Sequence, residues 1–193
     1  MTWTDAEGEV HNVFFTDPYS VAMKSGFSDK EYPVYAVGGY GSWEDYNAAG
    51  FNNGYNGGKT GIALVKRGGD ISFVDKINNA MSFSGVNSQN ERYGVQAVII
   101  YDEDPNATEL INMSADGTSL SSAFISGKDG AEIVEALNSG YQVSIRVSKD
   151  EMTLENPTAG QMSSFSSWGA GPGLELKPEI TAPGGNIWSS VKG

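Results

Sequence analysis

The chain has 193 residues and no cysteine. Disulfides, thiolate metal sites and cysteine nucleophiles are therefore excluded, and so is the small secreted domain held together by disulfides. His11 is the only histidine, so a zinc site would have to rest on carboxylates and a serine nucleophile would have one imidazole to draw on. Basic residues are scarce: 12 Lys and Arg stand against 24 Asp and Glu, a formal net charge of −12. Nucleic-acid binding draws its affinity from cations placed on phosphates, so a nucleic acid is not an expected partner. No apolar run approaches the roughly 20 residues of a membrane-spanning helix. The opening Met1-Thr2-Trp3-Thr4-Asp5 has neither the basic nor the apolar region of a signal peptide.

Apolar residues make up 39% of the chain and 25 glycines cluster between apolar runs, which points to a folded, turn-rich protein dominated by strands. Strands are expected at Val10–Phe15, Pro33–Val37, Ile62–Val65, Val95–Tyr101, Ala123–Ile125 and Tyr141–Ser148. The last alternates most cleanly, with Tyr141, Val143, Ile145 and Val147 facing inward. Two helices are expected. Ser72 caps the first with Asp75 three residues on, and Phe73, Ile77, Ala80, Met81 and Ser84 share its inner face. Ser126 and Asp129 repeat the pattern for a second helix whose face carries Ile133, Val134 and Leu137. A strand, a helix and a strand over 62–101 form a crossover unit with parallel strands. Residues 38–58, rich in Gly, Asn, Tyr and Trp, have no period and are expected as a long exposed loop. The polar stretch from Ser84 to Tyr93 is expected as another.

Several motifs invite chemistry and fail on spacing. Gly57-Gly58-Lys59-Thr60 suggests a phosphate loop, but Asn53 stands where that motif needs glycine, and a strand follows where it needs a helix. Asp102-Glu103-Asp104-Pro105-Asn106 opens like a calcium loop, but Ala107 replaces its obligatory glycine and Met113 its bidentate glutamate. A solvated turn is expected there, with room for no more than weak calcium binding; no cofactor is expected. His11 lies in the alternating Glu9–Val13 pattern and reads as a surface residue of an edge strand. A self-contained hydrolase would have to combine it with Ser166 or Ser167. Asn106-Ala107-Thr108 and Asn112-Met113-Ser114 are glycosylation triplets of a kind common by chance.

Two stretches say more. Gly58-Lys59-Thr60-Gly61-Ile62-Ala63-Leu64-Val65-Lys66-Arg67-Gly68, then Ser72–Ala80, then Gly94–Tyr101, closely resemble the core of the protease-associated domain. Ala123–Gly130 resembles that domain's later strand-to-helix turn. Two departures stand out: Ser72 occupies a place where many such domains carry cysteine, and 82–93 is longer than the usual link. Farther on, Phe165-Ser166-Ser167-Trp168-Gly169 and Leu176–Ser190 resemble the segment of subtilisin-like proteases just upstream of their catalytic serine. This order is that of large cell-envelope subtilases of Gram-positive bacteria, in which the accessory domain is inserted between the catalytic histidine and serine.

The resemblance implies a mixed, strand-rich α/β fold: a β-sandwich or open barrel with two flanking helices, followed by an extended C-terminal tail. Residues 1–31 would be a lead-in segment, 32–150 the protease-associated domain, and 151–193 part of a subtilisin-like catalytic domain. In the tail, Trp168, Ile180, Ile187 and Trp188 would lack their packing partners, so extended structure with few contacts is expected. The implied function is that of a non-catalytic domain of a secreted, cell-wall-associated serine endopeptidase, shaping access for protein or peptide substrates and contacting the catalytic domain. No residue of this chain falls on a catalytic position of the family. The residue-level candidate for contact is the aromatic set Tyr40, Trp43, Tyr46, Phe51 and Tyr55, since aromatics on a loop supply contact area at low entropic cost. The same aromatics could serve a free-standing protein- or carbohydrate-binding module, the alternative reading.

Overall fold

A computed structural model describes residues 1–18, 23, 27, 30–51, 58–148, 161–162, 166, 169–170 and 176–177. The chain divides into two compact units, Met1–Asp150 and Glu151–Gly193.

In the first unit the elements follow as β1 (Thr2–Thr4), β2 (Val10–Asn12), β3 (Phe15–Thr16), β4 (Glu31–Ala36), α1 (Trp43–Ala48), β5 (Gly61–Lys66), α2 (Phe73–Met81), β6 (Ser84–Val86), β7 (Arg92–Tyr101), β8 (Ser122–Ile125), α3 (Gly127–Asn138) and β9 (Ser144–Arg146). These strands form one sheet in the order β2-β1-β9-β4-β5-β7-β8-β3, with β6 added to β7 off this path. β4, β5, β7 and β8 run parallel, with α1 bridging β4 to β5 and α2 lying between β5 and β7. The outer pairings are antiparallel.

The step from β2 to β3 dictates the shape. These strands stand at opposite ends of the order, yet Asn12 and Phe15 are three residues apart and can be separated by at most about 11 Å. A flat path of eight strands would be about 34 Å wide. The sheet must therefore curl until its ends approach, which makes it an open barrel.

Alternation along the parallel strands builds two cores. Ile62 and Leu64 of β5, Ala97 and Ile99 of β7 and Ala123 and Ile125 of β8 face one side, joined by Trp3, Val34, Val143 and Ile145 and by Ile133 of α3. Ala63 and Val65, Val98 and Ile100, and Phe124 face the other, against Tyr46 of α1 and Ile77 and Ala80 of α2. Strands buried on both faces read as continuous apolar runs, which is why β5 and β7 look uniform in sequence. Each fully buried Ile, Leu or Val contributes on the order of 2 kcal/mol. Val95 joins the second core despite its odd spacing, because the β5–β7 register slips between Gly61 and Ile62 and skips Gln96.

Both expected helices form with their caps in place. Ser72 Oγ accepts the Asp75 amide at 3.1 Å, and Ser126 Oγ accepts the Asp129 amide at 3.0 Å. α3 lies flush on β7 because residue 130 is glycine: a Cβ there would stand 2.3 Å from the Tyr101 ring.

Four expectations need correction. Residues 38–58 are not a featureless loop, since Trp43–Ala48 is helical. α2 ends at Met81, and Ser84 starts β6, which pairs with β7 across a tight turn. Val10–Phe15 is broken at Val13 and Phe14 so that β2 and β3 can serve opposite ends of the sheet. Tyr141 is exposed, while Val143, Ile145 and Val147 keep the predicted inward face.

In the second unit, β10 (Gly169–Ala170) pairs antiparallel with β11 (Leu176–Lys177). The expectations for Trp168, Ile180, Ile187 and Trp188 lie outside the described residues. Among the described residues, no helix is long and apolar enough to cross a membrane.

Candidate functional site

The segment carrying the predicted contact residues is built around one carboxylate. After β4 the chain turns through Gly38-Gly39-Tyr40-Gly41, and Ser42 caps α1 in a reciprocal box with Asp45. Asp45 Oδ2 accepts the amides of Tyr40, Gly41 and Ser42 at 3.0, 3.0 and 2.9 Å. Burial by itself pushes this carboxyl up. The amides of Ser42, Tyr40 and Gly41 and the Ser42 hydroxyl outweigh it and hold Asp45 below its usual value. Gly41 has φ +84°, and a Cβ on it would stand 2.8 Å from Val65 Cγ1, so only glycine lets the turn lie this close to β5.

Lys76 locks the same turn from beneath. It is fully buried, and its Nζ donates to the carbonyls of Tyr40 and Gly68, the latter at 2.9 Å. Burial drives its ammonium below the usual lysine value, with Asp45 and Glu103 pulling the other way. Asn79 Nδ2 donates to the Gly41 carbonyl at 3.0 Å. The Tyr40 ring lies over the Gly68-Gly69 turn, with Lys66 and Lys76 Nζ 5.7 and 5.6 Å from its centroid. The turns that follow β4 and β5 are thus one rigid rim.

Sequence reasoning grouped five aromatics, and the structure separates them. Tyr46 and Phe51 are fully buried and belong to the second core. The Tyr46 hydroxyl donates to the Lys76 carbonyl at 3.0 Å, and burial pushes its phenol far above the usual value. Phe51 meets the edges of Tyr35 and Tyr46. Tyr46 is spent on packing because α1 turns that face toward the sheet, and Phe51, three residues past the helix, enters the same core. Tyr40 is half-buried in the rim. Among the described members of the set, only Trp43 stands out: it is 42% exposed and rests on Phe83, with ring centroids 5.3 Å apart. Tyr55 lies outside the described residues. The sequence pattern places Met81 on the inner face of α2, but it is 38% exposed; Val86, which the sequence does not single out, is 50% exposed.

The remaining candidates are accounted for locally. The His11 ring stacks on Trp3 at 4.5 Å, and its Nε2 lies 2.8 Å from Asp5 Oδ2. It sits on β2, at the edge of the sheet, as expected. Asp102 pairs with Arg67 at 2.7 Å and accepts the Asp104 amide; Asp104 in turn accepts the Asn106 amide. These carboxylates hold a turn in shape. Among the described residues, no three acidic or histidine side chains are grouped as metal ligands. Thr60 runs directly into β5. Ser167 lies outside the described residues.

The family model for the PA domain matches residues 30–133. C5a peptidase of Streptococcus pyogenes serotype M18 is 34% identical over 170 residues, which cover 84% of this chain and 13% of that protein. PII-type proteinase of Lacticaseibacillus paracasei is 35% identical over 132 residues, covering 67% of this chain and 6% of that protein. The chain therefore spans a small fraction of the length of these relatives. An aminopeptidase from Aneurinibacillus sp. strain AM-1 superposes with a TM-score of 0.48 at 23% identity, covering 76% of this chain and 30% of that one. The family match covers the curled sheet from its central parallel strands to the first half of α3, and on it the chain belongs to the PA domain family.

Proposed function

We propose that this chain is the non-catalytic PA domain of a secreted, cell-wall-associated, subtilisin-like serine endopeptidase, inserted between its catalytic histidine and serine. In this role it shapes the approach of protein substrates and contributes contacts to them. The observation that carries the reading is a similarity reaching past the domain: C5a peptidase aligns over 84% of the chain, and Phe165–Gly169 with Leu176–Ser190 resembles the approach to a subtilase nucleophile. The rim gives the role a physical basis. Its turns are fixed by Asp45 and Lys76, so a side chain presented there, such as Trp43, is held with little entropy left to lose on contact.

The test uses the full-length protein encoded around this sequence. Replacing the first compact unit, Met1–Asp150, by a short linker should leave hydrolysis of a short chromogenic peptide within about threefold, while kcat/KM on casein falls about tenfold or more. Equal loss on both substrates would mean that the domain only holds the catalytic unit together. No hydrolysis by the intact protein would remove the reading altogether.

A further inference from the structure

Among the described residues, β6 is paired on one side only. The Val95 amide donates to the Phe83 carbonyl at 3.0 Å, and the Asn87 amide to the Glu91 carbonyl at 2.9 Å. With Gly85 opposite Tyr93, these bonds set the phase of the ladder: Phe83, Gly85 and Asn87 turn their backbone groups toward β7. Ser84 and Val86 must then turn theirs outward, where no strand lies among the described residues. Ser84 Oγ, on the face of the strand rather than its edge, is buried and has no hydrogen-bond partner among the described residues. The edge is held straight without outside help, because Asn87 Oδ1 accepts the Gln89 and Glu91 amides at 3.0 and 2.8 Å and Asn90 takes φ +63° to close the turn.

Proteins blunt such edges by keeping them short or with lysine, proline or a bulge; β6 is short but carries no lysine, proline or bulge. Val86, 50% exposed, sits at one of the outward-turned positions, and Trp43 rests on Phe83, the residue that leads into the strand. Apolar contact area therefore stands beside free backbone donors and acceptors, the combination that strand addition uses. Charge chooses among peptides. Glu44 follows Trp43 and Glu91 stands in the turn against the single Arg92, on a chain of net charge −12.

We propose that the outer edge of β6, at Ser84 and Val86, takes up an extended segment of a protein substrate, basic and apolar by turns, as an added strand. The inference rests on the accessory-domain reading for the word substrate, and on the ladder geometry for the site.

The experiment is amide hydrogen exchange on the full 193-residue chain, with acetyl-Lys-Val-Lys-Val-Lys-Val-Lys-amide as the probe. The Ser84 and Val86 amides should exchange fast in the free chain and about tenfold or more slowly at saturating peptide, with Gly85 slow throughout. Val86→Pro removes an outward N–H and no bond to β7, so it should abolish peptide binding while the chain still unfolds cooperatively, whereas Val86→Thr should bind as the parent does. A peptide methylated on alternate amides should not bind, and this arm stands even where Val86→Pro fails to fold. Unaltered exchange at saturating peptide, equal binding of the methylated peptide, or slow exchange of both amides in the free chain overturns the proposal. Protection that rises with protein concentration alone also overturns it, since the occupant is then a second copy. Protection by the peptide together with a full-length protein that hydrolyses nothing overturns the accessory-domain reading and leaves the strand site standing.

Discussion

The Tyr46 hydroxyl donates to the Lys76 backbone carbonyl at 3.0 Å, so the one polar atom of a fully buried side chain fastens α1 to α2. Tyr46→Phe keeps the ring in place and deletes that bond. It should cost about 1 kcal/mol, while Tyr46→Ala, which also empties the site beside Phe51 and Phe83, should cost about 3–5 kcal/mol. Urea unfolding of the three proteins checks the ratio; a Phe variant as damaged as the Ala variant would mean that the hydroxyl organises more than one contact.

Lys76 holds two turns through one ammonium. Lys76→Met preserves the length and apolar bulk of the side chain but leaves the Tyr40 and Gly68 carbonyls without their donor. A loss of about 1–3 kcal/mol is expected. The accompanying signature is faster amide exchange at Tyr40, Gly41 and Gly68, with β7 unchanged. A uniform loss of protection would point to global destabilisation instead.

The Asp5–His11 pair sets a pH window. The hydrogen bond to Asp5 raises His11 above its ordinary value, and the same bond lowers Asp5 below its own. The histidine's contribution to stability is whole below about pH 6.5 and fades as pH rises through its raised value. The aspartate's is whole above about pH 4 and fades as pH falls through its lowered value. His11→Phe keeps a ring on Trp3 without the charge. The melting-temperature gap between parent and variant should be widest between about pH 4 and 6.5 and narrow on both sides. A gap independent of pH would assign the contribution to stacking alone.

The cap of α3 gives the simplest measurement. Ser126→Ala should cost about 1 kcal/mol and Ser126→Gly only a few tenths. Equal costs would show that the Ser126 hydroxyl contributes through Asp129 Oδ2, 2.6 Å away, more than through the helix amide.

That cap also shows how much of the fold could be read in advance. Ser72 and Ser126, each with aspartate three residues on, marked both longer helices, and the uniform apolar runs marked β5 and β7. The same Ser-x-x-Asp spacing opens α1 at Ser42 and Asp45, but the glycines and asparagines around it gave no apolar period to notice. Composition groups Tyr46 and Phe51 with Trp43 because it cannot tell which side of the short helix, or of the turn after it, faces the sheet. β6 was missed for a related reason. Ser84-Gly85-Val86 has no pattern of its own, and only the partner strand makes it a strand. The exposed edge, and with it the candidate site, depends on pairing phase, a property no single residue carries.

The short step from Asn12 to Phe15 bears on how the chain reaches this state. β1 pairs with residues 145 and 146, and β3 pairs with residues 124 and 125. Each of these closures spans more than a hundred residues, whereas β4, β5 and β7 join close neighbours in sequence. Loop-closure entropy therefore sets the central strands to assemble first and the two rims to be sewn last. β1 and β2 can pair as soon as both are made, but β1 must wait for β9 and β3 for β8. Within this sheet, the strands that come first in sequence are the last to be joined to its centre.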